Sequence, residues 1–353
     1  MISLRPLTAD DEKMLLVWRN HPEIVRLSAT QKTVTTDEHH DWMHRTLRDP
    51  NRLVFIVLLD SQPVGIVRYD KNPENETIAE VGIYLMPEHT GHGIDSEALK
   101  KSILLTLQKW RQIQLIRAKV REDNSRSISF FKKLCFSESQ KILHSKQQGL
   151  TCLEASIQTL LNHINSSFYC GLVREHGLSV KSLNWGSAES QAIRFKILSE
   201  LCDLQGKSLL DIGCGTGDFF RWLNDRHIYV KYTGIDLSQD MIAIASKRFT
   251  EARFFVGDIS SCELEESYDV IVESGIFTFS TQQIFFDTLQ RAFEKCRIGV
   301  AFNALSSWSP QQDQGECYLD PAAVLDYCKL LTRRVTLRHD YHPRDFTIYL
   351  YKQ

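Results

Sequence analysis

The segment LLDIGCGTGDFF, residues 209–220, limits the fold of this 353-residue chain more than any other. An apolar run closing at Asp211 reads as a strand, and Gly213, Gly215 and Gly217 read as a turn that opens a helix. Glycines let the backbone pass close to a ligand where a Cβ would collide. The spacing is GxGxG, which differs from the GxGxxG that seats a pyrophosphate in dinucleotide dehydrogenases. Asp236 ends the next strand, YTGID, 19 residues beyond Gly217. That is close to the ~20 expected for an acid that bonds ribose hydroxyls in a doubly wound sheet. Asp258 ends a third strand, RFFVGD, where a carboxylate can accept from an adenine amino group while Ile259 covers the ring. One Asp after a strand is usually a cap or turn residue. Three at successive strand ends, with the glycine turn, converge on the crevice outside the carboxyl edge of a parallel sheet.

These motifs resemble the class I S-adenosylmethionine-dependent methyltransferases over roughly half the chain. The resemblance implies a Rossmann-like sheet in which Gly213, Gly215 and Gly217 approach the methionine portion. Asp211 stands at the head of the same motif, Asp236 takes the ribose, and Asp258 with Ile259 takes the adenine. DLSQDMIAIA resembles the helix after the ribose acid, with Met241 as core. NWGSAESQAIRF resembles a lead-in segment that lies over the methionine end in small-molecule methyltransferases, making Trp185 and Gln191 lid candidates; a plain helix capped by Ser187 is the alternative. After the fourth strand the chain reads YDVIVESGIF, without the D/N-P-P-Y/F tetrapeptide of enzymes that methylate exocyclic base amines. Glu273 stands where a substrate-facing base can sit, although a strand-end Glu is more often solvated. RRVTLRHDYHPRDFTIYLYK reads as a final antiparallel pair, with His339 and Tyr341 either reaching the active site or forming the turn.

The first half has a different rhythm. Helical periods cover residues 10–18 and 37–47, and strand-like runs begin at Leu53, Val64 and Ile78. Then come a helix over 96–110, the strand LIRAKV, a helix over 125–134, and a hairpin turning at residues 147–149. Before the first of these later helices lies PEHTGHGIDSEAL, in which Gly91 and Gly93 are suited to aiming backbone N–H groups at a pyrophosphate. Eight Lys and Arg between Lys109 and Lys133 face only Glu122 and Asp123 and supply cations for a further phosphate.

This order of elements resembles the GNAT acetyltransferase superfamily over about residues 1–155. WRNHPEI, DEHHDWM and AEVGIYLMPEHTGHG are closest to the N-acetyltransferases of pseudaminic and legionaminic acid synthesis, which act on nucleotide-linked amino sugars. The resemblance implies acetyl-coenzyme A as cofactor and Glu80 as a base acting on the acceptor amine. In the family's R/Q-x-x-G-x-G/A loop the aligned residues are Thr90, Gly93 and Asp95, so only the central glycine is kept. Phe131 stands where a Tyr commonly supplies the proton to the departing thiolate. His39, His40 and His44 include an i, i+4 pair suited to zinc, but lack a third ligand, so a structural role is expected.

The expectation is two α/β domains, a GNAT-like mixed domain over 1–158 and a Rossmann-like methyltransferase domain over 159–353. Residues 1–158 carry 22 basic and 20 acidic side chains and the remainder 20 and 24, so neither half is a basic module and no nucleic-acid partner is expected. The longest apolar run, 53–59, is far short of the ~18 residues a spanning helix needs, and the Met1 end is no signal peptide. Nine unpaired-looking cysteines, with Cys214 packed as a small residue inside the glycine motif, fit a reducing, cytoplasmic setting. Three functions compete. The first is a bifunctional enzyme that methylates and N-acetylates an amino sugar or nonulosonic acid precursor. The second is a methyltransferase whose first domain is a substrate-binding or docking module, and the third is a protein N-terminal acetyltransferase fused to a methyltransferase.

Overall fold

The computed structural model describes residues 1–28, 30–139, 149–177, 187–259, 262, 264 and 267–352. They form two compact units, Met1–His163 and Ile164–Gln353, each with its own seven-stranded sheet. The division falls within one long helix, a little past residue 158.

In the first unit the chain runs β1 (Ile2–Pro6), α1 (Glu12–Arg19), α2 (Pro22–Leu27), α3 (Thr36–Thr46), β2 (Arg52–Leu59), β3 (Gln62–Lys71) and β4 (Ile78–Leu85). It continues through α4 (Ile94–Lys109), β5 (Leu115–Arg121), α5 (Ser125–Lys133), β6 (Ser137–Glu138) and β7 (Leu150–Ser156). The sheet order is β1-β2-β3-β4-β5-β7-β6. All neighbours are antiparallel except β4 and β5. α3 begins at a capping box in which Thr35 and Glu38 satisfy each other's backbone N–H groups. On the sheet, Tyr69 is fully buried and its hydroxyl bonds Ser102 of α4 at 2.8 Å. Leu15, Met43, Val54, Ile56 and Ile66 close the core beneath α1 and α3. The expected hairpin is described only from Gly149 onward: residues 147 and 148 lie outside the described residues, and the strand seen beside β7 is β6.

The second unit starts within α6 (Ile157–His176) and continues with α7 (Ala188–Ser199), β8 (Ser208–Ile212), α8 (Asp218–Asn224), β9 (Lys231–Asp236), α9 (Gln239–Arg248) and β10 (Arg253–Val256). β11 (Tyr268–Glu273), α10 (Gln282–Lys295), β12 (Cys296–Leu305), α11 (Pro321–Leu331), β13 (Val335–Arg338) and β14 (Asp345–Tyr351) complete it. The order β10-β9-β8-β11-β12-β14-β13 is parallel through β12. It ends in the antiparallel pair expected from the C-terminal sequence. β8 is central and buried from Leu209 to Ile212, as a strand covered on both faces must be. The strand order reverses between β8 and β11, so the switch point, where such sheets bind ligands, lies at the end of LLDIG. Met241 and Cys214 are both buried core residues. No helix among the described residues is long and apolar enough to cross a membrane.

Candidate cofactor sites

The glycine turn is stitched to the end of β9. Gly213 and Cys214 donate their N–H groups to the Ile235 carbonyl at 2.8 and 3.0 Å. Gly215 donates to one oxygen of Asp236 at 3.0 Å, and Ser238 donates to the other at 2.8 Å. Gly213 has φ +74°, and a Cβ on it would lie 2.0 Å from Ile276, so only glycine lets the chain after β11 pack against the turn. Burial pushes the Asp236 carboxyl above the usual range, with the two backbone donors opposing. A ribose diol would supply further donors at this place, and these residues fit the ribose of S-adenosylmethionine.

Asp211 is buried one position before the end of β8 and accepts from the Tyr232 hydroxyl. Burial pushes it up to about 7, against the Tyr232 bond, with Asp236 adding to the rise. Gly217 caps α8. Asp258 follows β10, and its carbonyl accepts from the Cys262 N–H at 2.9 Å. Ile259 is buried in the cluster that contains Ile235 and Phe277. The structure thus brings the glycine turn and Asp236 into direct contact and puts Asp211, Asp258 and Ile259 at the same sheet edge.

One expectation changes. Glu273 is not solvated: it is fully buried, because β11 lies between β8 and β12, where its register partners are Ile212 and Phe302. His339, before β14, bonds Ser306 after β12 at 2.7 Å, and Tyr341 bonds Thr347 of β14 at 2.8 Å. Ser187 caps α7 by accepting from the Ser190 N–H, and Gln191 is buried; Trp185 lies outside the described residues.

Sequence reasoning also missed a strap. The later turns of α6 cross the carboxyl edge, from Ser238 after β9, where Cys170 Sγ lies 3.1 Å from Ser238 Oγ, to the segment after β11. There Asn165 donates to the Phe279 carbonyl at 2.8 Å and Phe168 meets the Phe279 ring edge-on. Burial pushes the Tyr169 phenol up to about 12; its hydroxyl bonds Thr278, and Asp236 and Glu316 lie close enough to add to the rise. Nothing in the spacing of SSFYCGL marks it, because the contacts span about 70 to 110 positions of sequence.

In the first unit β4 and β5 pair only from Ile78–Leu115 to Glu80–Arg117 and then part, while β3 follows β4 to Leu85 and β7 follows β5 to Arg121. From Val81 onward, among the described residues, β5 leaves one edge of β4 unpaired, which suits the amides of an extended pantetheine chain. Gly93 at φ +75° caps α4, directly beyond this gap. The Arg126 guanidinium lies 3.9 Å from where a Cβ on Gly91 would sit, so a basic side chain does flank the loop. Asp95 opposes an anion there, because its carboxylate accepts from the Ser96 N–H at 2.9 Å in the first turn of the helix. The Thr90 hydroxyl is turned back onto the Pro87 carbonyl.

Glu80 is on an interior strand, because β5 pairs beyond it. It forms an ion pair with Lys119 at 2.8 Å, beside the Arg117–Glu154 pair. Phe131 is buried edge-on to Phe130 and Phe136. His39 bonds the Glu12 carbonyl and His40 the Glu12 carboxylate, and no group of three metal-binding side chains occurs among the described residues.

Comparison with known proteins agrees with both halves. Residues 2–137 match the GNAT acetyltransferase domain and residues 209–298 a methyltransferase domain. The chain is 34% identical over 155 residues to putative methyltransferase Rv1506c of Mycobacterium tuberculosis, covering 41% of this chain and 93% of that protein. It is 24% identical over 131 residues to the acetyltransferase PseH of Campylobacter jejuni, covering 37% of this chain and 80% of PseH. The crystal structure of that N-acetyltransferase with acetyl coenzyme A superposes with a TM-score of 0.34 at 16% identity, covering 44% of this chain and 99% of the other. It is also 33% identical over 93 residues to the dTDP-4-amino-2,3,4,6-tetradeoxy-D-glucose N,N-dimethyltransferase of Saccharopolyspora spinosa, covering 26% of this chain and 35% of that enzyme. The chain belongs to the family of the mycobacterial methyltransferase, with an N-terminal GNAT acetyltransferase domain joined to a methyltransferase domain of Rossmann-like, class I architecture.

Proposed function

We propose that the chain is a bifunctional tailoring enzyme of the cytoplasm that uses S-adenosylmethionine and acetyl-coenzyme A on an amino sugar, nucleotide-linked or a nonulosonic acid precursor. The observation that carries the reading is the contact between the Gly215 N–H and Asp236 at the switch point, which holds a carboxylate suited to a ribose diol against the glycine turn. When bound, S-adenosylmethionine supplies an activated methyl group. The protein's part is to hold acceptor and methyl in line and exclude water, with a base needed only if the nucleophile is protonated. The α6 strap and the Ile276 segment supply walls for that crevice.

In the acetyl-transfer half, the gap between β4 and β5 receives the pantetheine arm, Gly91 and Gly93 aim N–H groups at the pyrophosphate, and Glu80 accepts a proton from the acceptor amine. The acceptor class draws on the likeness to nucleotide-linked amino-sugar acetyltransferases and on the printed substrate of the Saccharopolyspora enzyme. A second reading, in which the first domain only binds or docks, is favoured by Asp95 on the helix N-terminus and by the apolar setting of Phe131. The test is incubation of the intact chain with both cofactors and dTDP- and UDP-linked 4-amino sugars, followed by mass spectrometry. Both modifications are expected. Methylation alone selects the second reading, and neither modification overturns the proposal.

A further inference from the structure

Glu273 is an anomaly in the methyltransferase half. Its side chain is fully buried and neither carboxyl oxygen has a hydrogen-bond partner among the described residues. Buried polar groups in folded proteins are nearly always paired, and each unpaired one needs an explanation. Among the described residues, the charged group that acts on it is another acid, Asp211. Its surroundings on the shared face of the sheet are Ile212 and Phe302 on the neighbouring strands.

The position is as telling as the isolation. Glu273 is the last residue of β11, paired with Ile212, the residue immediately before the glycine turn. The chain that leaves it is held over the turn: Ile276 packs on Gly213, and Gly275 donates to the Asn303 side chain at 3.0 Å. The carboxyl therefore stands at the switch point, between the strand that carries the cofactor turn and β12, towards which the sheet continues away from Asp236 and Asp258.

The complement that best suits such a carboxyl is a cation with several N–H donors. A hydroxyl has one donor and no charge to offset a carboxylate, and a carboxylate acceptor would repel it. A metal ion would need further ligands, and no set of three His, Cys, Asp or Glu exists among the described residues. We infer that Glu273 receives the amino group of the methyl acceptor, so that this half of the protein is an N-methyltransferase for an amine. The inference rests on the methyl-transfer reading above.

The acceptor enters as an ammonium and the carboxyl proton of Glu273 passes to solvent as the ion pair forms; one ammonium proton then moves to the carboxylate, leaving a neutral amine. Its nitrogen lone pair then forms the N–C bond while the C–S bond breaks and leaves its electron pair on sulfur. The methylated nitrogen carries the positive charge that the sulfonium loses. Because an acetylated nitrogen no longer has a free lone pair, the two halves would act on different amino groups.

The test is calorimetric titration of the intact chain near neutral pH in buffers of different ionisation enthalpy, which counts protons exchanged on binding. S-adenosylhomocysteine is added first. If it does not bind, the cofactor reading fails and the failure is visible before Glu273 is examined. With that ligand saturating, dTDP-4-amino-4,6-dideoxy-D-glucose, its UDP counterpart and their 4-hydroxy analogues are titrated. Wild type is expected to release about one proton with an amine and none with a hydroxyl analogue. Glu273→Gln is expected to keep its affinity for S-adenosylhomocysteine within about twofold while amine binding weakens by at least about tenfold and proton release disappears. Proton release on cofactor binding instead of amine binding overturns the inference. So does hydroxyl analogue binding as tight as amine binding, or absence of amine-linked release from wild type across the panel. The wild-type comparison of amine with hydroxyl stands by itself if the variant does not fold.

Discussion

Replacing Glu273 by Gln perturbs one buried group and leaves its shape almost unchanged, which makes its effect on stability calculable. Burial, reinforced by Asp211, pushes the carboxyl up to about 8 in the folded protein, from an ordinary 4.5. A group whose folded pKa lies above its unfolded value favours folding while it is protonated. That contribution is complete below about pH 4.5 and is lost as pH rises towards 8. Three and a half pH units at ~1.4 kcal/mol each give roughly 5 kcal/mol lost by wild type over this window and not by E273Q. For a unit of this size that corresponds to on the order of 10 °C in melting temperature. Differential scanning calorimetry of the two full-length proteins without ligands, from pH 4.5 to 8.5, follows the methyltransferase transition. The two proteins should melt together at the acid end, where both side chains are neutral, and E273Q should melt progressively higher as pH rises. A difference that stays flat with pH, or a wild type more stable than E273Q at pH 8, would refute the argument that the carboxyl is buried without a compensating cation.

Four further outcomes follow from the geometry. Gly213→Ala forces a side chain at positive φ into Ile276 and should cost at least about 2 kcal/mol of stability; chemical denaturation measures it, and an unchanged midpoint would mean the Ile276 packing is not needed. Asp236→Ala removes the acceptor of the Gly215 and Ser238 N–H groups and should weaken S-adenosylhomocysteine binding by at least about tenfold; calorimetry that finds native affinity contradicts the assignment of the ribose acid. Asp95→Gly takes a carboxylate off the first turn of α4 and should tighten coenzyme A binding by a few-fold to about tenfold; equal affinity would clear Asp95 of any part in the anion site. Glu80→Gln should reduce acetyl transfer by about 100-fold and leave methyl transfer untouched; intact acetyl transfer would remove Glu80 from the chemistry.

The sequence determined the two folds and which residues meet at the switch point of the second, because local patterns encode both. A strand, a glycine turn and a helix are specified by neighbouring residues, and acids that end successive parallel strands reach one edge whatever the rest of the chain does. Gly93 at the start of α4 was legible for the same reason. What only the tertiary structure decided depends on which strands become neighbours. Glu273 closes a strand in a sequence that permits exposure, and it is buried because β8 and β12 flank it. Glu80 is interior because β5, 37 residues onward in register, pairs beside it before turning away. The strap formed by α6 is likewise invisible in sequence, since Cys170 and Asn165 meet Ser238 and Phe279 across long separations. Short-range periodicity fixes what an element is and which face it buries; the desolvation of a charge is set by all the surfaces that close over it, and those come from distant parts of the chain.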